Sequence, residues 1–600
     1  MIYNPLDKFY KSQTGAVSAD KLITFRVKGN FDFVVFVLHK DGENFDSRYS
    51  MQKKGDIFEL DITFNVGLYY YRFDLCNGKT IGLGNNYLGE ILDYISDFQL
   101  TVYDANYSVP EWFYGGIIYQ IFPDRFYRAE KEKNIPEYKV LHDNWNDTPV
   151  YEPNEYGKIL NNDFFGGDLK GIIEKLDYIK SLGVTVIYLN PIFKAYSNHR
   201  YDTGNYMEID PLLGSIDEFK QLINKASVLG VKIILDGVFN HTGDDSLYFN
   251  KYNRYPTVGA YQSKDSKYYS WYNFTKYPDK YDSWWGIETL PAINEQNEDY
   301  VNYITGKEGV LDYYTKLGIG GWRLDVVDEL PSSFVKKVRV AVKNASYNAI
   351  VIGEVWEDAS NKISYGARRE YLQGNELDSV MNYPLKEAII SFIKDGNFKN
   401  LSNTIKEQLD HYPHKTLHAL MNLLSTHDTA RLITVLSGIE PHGATKKQLA
   451  ETFIPEDKIE QVKFKLKCAS LLQFTLCGVP SIYYGDEIGM QGYADPLNRR
   501  TYPWGKEDLE LLSWYKFLGE LRAKYSAFTQ GEFVEIFADI GVYVFKRADE
   551  NSEVLIAVNI SENEYQFQFD SVLTELVTNT DHKDFYNLTA KSCAVLVKNK

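Results

Sequence analysis

The segment GGWRLDVVDE, residues 320–329, places charged side chains inside an apolar run that is typical of a buried strand. Arg323 and Asp325 lie two positions apart, so in a strand both side chains point to the same face. Burying an unpaired carboxylate is costly. The spacing therefore predicts an ion pair in which Arg323 orients Asp325 and keeps it ionised by lowering its pKa.

Three other apolar segments also end in acids or histidines. Asp236 ends VKIILD with Asn240 and His241 just beyond it, Glu354 follows AIVIG, and His427 and Asp428 end LHALMNLLSTHD. Each of these residues taken alone is more often a local salt bridge or a hydrogen-bonded core side chain. The repetition of the pattern at the ends of several strands indicates a functional site.

Two of the carboxylates, Asp325 and Glu354, suit hydrolysis of a glycosidic bond with retention of the anomeric configuration. In that reaction one carboxylate attacks the sugar, while a second one about 5–5.5 Å away protonates the leaving oxygen. Acids together with histidines can instead bind a metal ion. That alternative is less favoured, because Arg323 beside Asp325 would oppose a cation.

Eight apolar runs must position these residues, and they alternate with helical patterns between about residues 112 and 505. The runs are IIYQIFPDRF, VTVIYLNPIF, VKIILDGVFNH, GGWRLDVVDE, AIVIGEVWED, LDSVMNYP, LHALMNLLSTHD and VPSIYYGDEIG. Continuous apolar strands that alternate with helices are typical of a parallel sheet covered by helices. Eight such units predict a (β/α)8 TIM barrel, whose site lies at the carboxyl ends of the strands. A doubly wound open sheet is the alternative.

The chain is predicted to be a multidomain α/β protein, because alternating apolar and polar patterns flank the barrel. Residues 1–106 predict an N-terminal immunoglobulin-like β-sandwich that resembles a carbohydrate-binding module, and residues 526–600 predict a C-terminal β-sandwich. The catalytic barrel occupies 107–525. A subdomain rich in Tyr, Trp, Gly and Asp is inserted at about 242–296, since connections of that length are usually functional or separately folded.

Composition limits the partners. The net charge is −17 with acids and bases mixed along the chain, which argues against nucleic acid or an anionic membrane as a partner. Aromatic residues make up 15%, which fits a neutral ligand with many hydroxyl groups. The four cysteines form no CxxC pair. The start of the sequence lacks a signal-peptide pattern and no run approaches 18 apolar residues, so a cytoplasmic protein is expected.

Four of the segments resemble, in order, the signature regions of the α-amylase family of glycoside hydrolases. They are DGVFNH (236–241), GWRLDVVDE (321–329), GEVW (353–356) and STHD (425–428). The resemblance implies that Asp325 is the nucleophile, Glu354 the general acid/base, and Asp428 a carboxylate that grips sugar hydroxyls. SNHRYDTGNY and DPLNRR resemble further sugar-binding loops of the family. The implied substrate-binding residues are His199, Tyr201, Asp236, His241, Arg323, Trp356, His427, Asp495 and Arg499.

Within the family, the chain resembles the branch of neopullulanases, cyclomaltodextrinases and maltogenic amylases. FFGGDLKGIIEKLDYIKSLG, LPAIN and an N-terminal sandwich carry this resemblance. The sequence departs from the branch at Ala292 and at Val326-Val327-Asp328-Glu329, which puts the substrate preference in doubt. It also departs in the calcium loop after the first strand, DRFYRAEKEKNIPEY, which carries lysines; of that site only Asp168 remains. No metal is therefore expected as a cofactor, although calcium is left open.

The resemblance implies a retaining hydrolase of α-1,4-glucosidic bonds in maltooligosaccharides, cyclodextrins, pullulan or starch, and a homodimer as its assembly. Two alternatives stay open. One is an extracellular starch-degrading α-amylase, and the other is a catalytically silent barrel that only binds glucan. The presence of Asp325, Glu354 and Asp428 disfavours the silent barrel.

Overall fold

A parallel barrel forms the centre of the chain in the computed structural model, which describes residues 1–75, 77–439 and 441–598. Its strands are Ile118–Ile121, Val186–Leu189, Lys232–Gly237, Gly321–Leu324, Ile350–Gly353, Ser379–Val380, Met421–Leu423 and Val479–Tyr483. Neighbouring strands pair in the order 6-5-4-3-2-1-8-7, and a parallel bridge between Met381 and Met421 joins the sixth strand to the seventh. The predicted TIM barrel is confirmed, and the open sheet is ruled out.

Helices cover the outside of the barrel. The helices of six or more residues are Leu169–Glu174, Leu176–Ser181, Ile216–Val228, Glu298–Thr305, Val310–Lys316, Ser332–Ala345, Tyr383–Asp395, Phe398–His411, Leu432–Ser437, Lys446–Glu451, Glu456–Thr475 and Leu509–Lys524; shorter ones are Pro123–Phe126, His414–Leu417 and Ala527–Gln530. Ser215 and Glu218 cap the helix after the second strand reciprocally. The chain leaves that helix through Gly230, at a φ of 68° that favours glycine.

The long connection after the third barrel strand packs through aromatic rings. It contains the short antiparallel pair Phe274–Lys276 and Lys280–Tyr281 and single turns at Tyr269–Trp271 and Trp284–Gly286. Tyr248, Trp271 and Tyr272 are buried within it. This packing fixes the segment over the carboxyl ends of the barrel strands.

Two sheets share one core at the N-terminus. The larger sheet holds Val17–Ser18, Val35–Lys40, Asp46–Ser50, Gly67–Asp74, Thr80–Leu83, Gly89–Leu92 and Phe98–Tyr103; the smaller one holds Ile23–Lys28, Gln52–Lys54 and Ile57–Ile62. Phe25 of the smaller sheet contacts Phe36 and Tyr71 of the larger, with ring centroids 4.8 and 5.2 Å apart. The two sheets therefore pack face to face.

The C-terminal region is also built from strands. Six of them, Glu532–Asp539, Val542–Ala548, Glu553–Asn559, Leu573–Glu575, Thr580–His582 and Ser592–Lys598, form one sheet, and Tyr565–Gln568 pairs with Phe585–Leu588 in a second. One face of the large sheet packs on the barrel core, and the other covers Leu588 and neighbouring apolar residues. N-terminal and C-terminal sheet regions thus flank the barrel.

Three cysteines lie in the described part of the chain. Cys468 and Cys477 are buried free thiols and Cys593 is half-buried, whereas Cys76 lies outside the described residues. No helix in the described ranges combines the length and the apolar character needed to cross a bilayer.

Candidate active site

A cavity of about 1350 Å³ opens at the carboxyl ends of the barrel strands. Ten of the predicted site residues line it: His199, Tyr201, His241, Asp325, Glu354, Trp356, His427, Asp428, Asp495 and Arg499. Asp236 and Arg323 do not line it. They lie beneath its floor and contact other site residues instead of the open space, because they stand inside the third and fourth strands.

Arg323 binds three carboxylates at once. Its Nη1 lies 2.6 Å from Asp325 Oδ1 and 2.8 Å from Asp236 Oδ1, and its Nη2 lies 2.8 Å from Glu354 Oε2. All four side chains are buried. The ion pair predicted from the Arg-x-Asp spacing is present, and it is part of a larger cluster that holds Asp325 and Glu354 on two nitrogens of one guanidinium.

The charge in this cluster does not balance. Burial raises the pKa of Asp325 well above its ordinary value; the Arg323 guanidinium opposes that rise, and the Glu354 and Asp236 carboxylates add to it. The low pKa expected from Arg323 alone is therefore wrong, because three carboxylates share one cation. Such a cluster retains a proton at a pH at which an isolated carboxylate has lost it.

Glu354 is held by both of its oxygens. Oε2 accepts a hydrogen bond from the Val326 backbone N–H at 2.8 Å, and Oε1 accepts one from the Trp356 indole N–H at 3.1 Å. Trp356 is in turn stacked on Tyr383, with ring centroids 3.9 Å apart. Trp356 thus lines the cavity and also fixes the orientation of Glu354.

Backbone strain marks the residue after Asp325. Val326 has φ 40° and ψ 49°, a left-handed conformation that is unfavourable for a β-branched residue. This conformation ends the fourth strand and aims the Val326 N–H at Glu354. The strain is thus coupled to the placement of both carboxylates.

Tyr201 and His427 form one wall of the cavity. Their rings are stacked with centroids 5.1 Å apart. The Tyr201 hydroxyl lies 2.6 Å from His427 Nε2 and donates to Asp236 Oδ2 at 2.8 Å. Gln120 Nε2 donates to His427 Nδ1 at 2.9 Å, and burial lowers the pKa of His427 well below its ordinary value. A neutral imidazole with its proton on Nε2 satisfies all of these contacts.

His241 and His199 present further polar atoms to the cavity. The His241 ring stacks on Trp284 at 5.5 Å, and its Nε2 has no partner among the described residues. Burial lowers the pKa of His241 to about 4 and that of His199 well below its usual value. Both histidines are therefore neutral at pH 7 and suited to hydrogen bonding with hydroxyl groups.

Asp428 lies at the solvent-exposed side of the wall that Tyr201 and His427 form. Its side chain is 33% exposed, and Arg499 Nη2 lies 3.5 Å away while Arg499 Nη1 binds Asp495 at 2.8 Å. Desolvation, followed by the Glu354 charge, raises the pKa of Asp428 to about 7, and Arg499 opposes that rise.

The loop after the first barrel strand does not fit a bound calcium ion. Asp168 Oδ2 is 2.7 Å from Lys133 Nζ and accepts the Glu130 backbone N–H, while Oδ1 accepts the N–H groups of Ala129 and Gly171. Lys133 also donates to the Leu212 carbonyl at 3.1 Å. Calcium needs six to eight oxygen ligands, but here a buried ammonium and backbone donors surround the carboxylate. Among the described residues no group of three acids, histidines or cysteines is arranged to hold a metal.

Some site residues have no counterpart in the sequence prediction. Tyr188 donates to Asp236 at 2.6 Å, and Asn190 donates to Tyr201 at 2.9 Å. Like Gln120, they are polar residues in or just after apolar barrel strands, which is the same signal that identified Asp236. Tyr365, which also lines the cavity, lies on a hairpin that no pattern in the sequence indicated.

Comparison with known proteins agrees with this geometry. The profile of the α-amylase catalytic domain matches residues 120–510. An amylopullulanase of Thermoanaerobacter thermohydrosulfuricus is 35% identical over 90% of this chain, and a cyclomaltodextrinase of Thermoanaerobacter pseudethanolicus is 33% identical over 76% of this chain and 72% of its own length. The solved type III pullulan hydrolase of Thermococcus kodakarensis superposes with a TM-score of 0.71, at 26% identity, over the full length of both chains.

The relatives differ in length. The chain spans 40%, 33% and 48% of three amylopullulanases that it matches, whereas the cyclomaltodextrinase is covered over most of its length. The match to the catalytic domain includes all eight barrel strands except the first two residues of the first. The chain belongs to the α-amylase family.

Proposed function

We propose that the chain is a retaining α-glucan hydrolase that cleaves α-1,4-glucosidic bonds in maltooligosaccharides, cyclodextrins, pullulan or starch. The observation that carries the proposal is that Asp325 and Glu354 share the Arg323 guanidinium at the floor of the cavity. The names of the relatives, among them cyclomaltodextrinase and neopullulanase, support this substrate class.

In the proposed reaction, Asp325 attacks the anomeric carbon and Glu354 gives a proton to the leaving oxygen. Glu354 then takes a proton from water, which displaces Asp325 from the covalent glycosyl ester. The contacts support these two roles, because the Arg323 guanidinium favours the ionised form of Asp325 against the effect of burial, and Glu354 lines the same cavity beside it.

His241 and His199, which are neutral at pH 7, are proposed to bind the sugar that becomes attached to Asp325. His241 Nε2 and His199 face the cavity as hydrogen-bonding groups, and Tyr201 offers a ring for stacking. Asp428, beside Arg499, accepts hydrogen bonds from sugar hydroxyls. Hydrogen bonds to hydroxyl groups beside the anomeric carbon strengthen as positive charge develops in the transition state.

Product analysis tests the proposal. The enzyme is incubated with maltohexaose, β-cyclodextrin, pullulan and soluble starch, with Asp325→Asn as the control. Glucose or maltose from the first two substrates, and panose-type trisaccharides from pullulan, are expected. Maltotriose as the sole pullulan product would indicate α-1,6 cleavage instead. Binding of maltohexaose without any product would indicate a silent glucan-binding barrel.

A further inference from the structure

A hairpin that follows Glu354 forms part of the cavity wall. Its strands are Ile363–Ser364 and Ala367–Arg368, and its tip residue, Tyr365, is 72% exposed and lines the cavity. Across from it, Trp285 is 77% exposed and lines the same space. Two large aromatic rings left exposed beside a cavity are a feature of ligand-binding surfaces.

Glu329 joins these two rings. Its Oε1 accepts a hydrogen bond from the Trp285 indole N–H at 3.0 Å, and its Oε2 accepts one from the Tyr365 hydroxyl. The polar edge of each ring is thereby fixed while its faces stay open. Because Glu354 protonates the leaving oxygen in the proposed reaction, the wall that continues from Glu354 to Tyr365 borders the leaving-group side of the substrate.

The stem of the hairpin is bound by the N-terminal region of the same chain. Arg368 Nε and Nη2 donate to the two carboxylate oxygens of Asp41 at 2.8 and 3.0 Å. Gln99 donates to Ser360 Oγ at 2.7 Å and accepts from Asn361 Nδ2 at 2.8 Å. A bidentate arginine pair fixes orientation as well as distance, so these contacts set the angle at which the hairpin meets the cavity.

A third contact reaches the same segment from beneath. Tyr87, also in the N-terminal region, lies 3.1 Å from His411 Nε2, and His411 Nδ1 lies 3.3 Å from Asp358. Asp358 accepts the Ser360 backbone N–H at 2.9 Å. Residues 358–368 are thus tied to the N-terminal region at three separate points, the third through His411.

We propose, on the basis of the proposed function, that the N-terminal region acts within its own chain to position the leaving-group side of the cavity. Asp41 and Gln99 hold the hairpin in place. Tyr365, which is linked to Trp285 through Glu329, then presents an aromatic face to the sugar units beyond the cleaved bond. The region thereby selects substrates by the length of the leaving portion, without itself touching the reacting atoms.

Substrates with long and short leaving portions test this role. Kinetics are measured for Asp41→Ala on maltohexaose and on 4-nitrophenyl α-maltoside, whose leaving group is a single small ring. We expect KM for maltohexaose to rise about tenfold, with kcat and the nitrophenyl substrate changed less than about twofold. Exchanging the charges, with Asp41→Arg and Arg368→Asp together, should recover part of the loss.

Lys8→Ala is the matched control. Lys8 binds Glu532 at 3.3 Å and so also links the N-terminal region to another part of the chain, but it does not touch the hairpin. This variant should behave as the wild type on both substrates. If Asp41→Ala behaves as Lys8→Ala does, or if it weakens both substrates equally, the positioning role is overturned.

A binding measurement separates this proposal from the proposed function. Maltohexaose is titrated calorimetrically into Asp325→Asn and into Asp325→Asn with Asp41→Ala. Weaker binding in the double variant supports the positioning role even if the wild type hydrolyses no glucan. Equal binding in both variants overturns the positioning role even if hydrolysis is observed.

Discussion

The floor of the cavity and its leaving-group wall are built in opposite ways. On the floor, Arg323, Asp325 and Glu354 are buried and stand on or directly after neighbouring barrel strands. In the wall, Trp285 and Tyr365 are mostly exposed, lie outside the barrel strands, and are joined through Glu329. The groups proposed to react are thus held by contacts within the barrel, whereas those proposed to bind the rest of the substrate are held by contacts between distant parts of the chain.

The largest effect on activity is expected when one of the proposed reacting groups is removed from the floor. Asp325→Asn removes the proposed nucleophile and Glu354→Gln the proposed proton donor, and each should lower kcat on maltohexaose by on the order of a thousandfold or more. Circular dichroism should show an intact fold. Near-normal turnover by either folded variant would mean that the floor does not carry the chemistry.

A second test concerns the cation shared by the floor. Arg323 lowers the pKa of Asp325 against the effect of burial, so Arg323→Gln raises that pKa further. Since Asp325 must be ionised to attack, the acidic limb of kcat/KM should move to higher pH. Arg323→Lys keeps the charge and should move the limb less.

The same substitution carries a stability cost. Breaking a buried ion pair typically costs about 3–5 kcal/mol, so thermal unfolding of Arg323→Gln is measured alongside the pH profile. Coincident acidic limbs for the wild type and a folded Arg323→Gln would contradict the role given to Arg323.

Trp356 links the floor of the cavity to the leaving-group wall, because it contacts Glu354 and also lines the cavity. Its indole N–H binds Glu354, and the residue is 46% exposed and lines the cavity. Trp356→Phe keeps a ring but loses this hydrogen bond, and we expect kcat to fall about tenfold. A change confined to KM would show that Trp356 serves substrate contact alone.

The smallest expected effect is that of chelation. The Lys133 ammonium occupies the space beside Asp168, so EDTA should change neither activity nor melting temperature. Lys133→Met leaves the buried Asp168 without its cation. The free energy of unfolding should fall by about 3–5 kcal/mol at most, and the melting temperature by several degrees. A steep loss of activity in EDTA that calcium restores would place a required cation elsewhere.

The floor could be predicted from the sequence because its signals are local. The Arg-x-Asp spacing sets the faces of one strand, and acids at the ends of apolar runs meet at one edge of any parallel barrel. The shift in the pKa of Asp325 was predicted with the wrong sign, since the sequence does not show that Asp236 and Glu354 converge on the same guanidinium.

The wall could not be predicted for a physical reason. Asp41 and Arg368 lie 327 positions apart, and nothing in either local pattern indicates that they meet. Nothing in the sequence SYGARR singles out Tyr365, and only the folded structure shows that it lines the cavity and pairs with Glu329. Contacts of this kind depend on how separate sheets pack, which local periodicity does not encode.

The proposed reaction retains the anomeric configuration of the sugar, and proton NMR of the first products tests this directly. Maltohexaose is mixed with the enzyme, and the anomeric signals of the new reducing ends are followed before mutarotation equilibrates them. Double displacement at Asp325 predicts that the α-anomer appears first. If the β-anomer appears first, water attacks the sugar directly, and Asp325 is not the nucleophile.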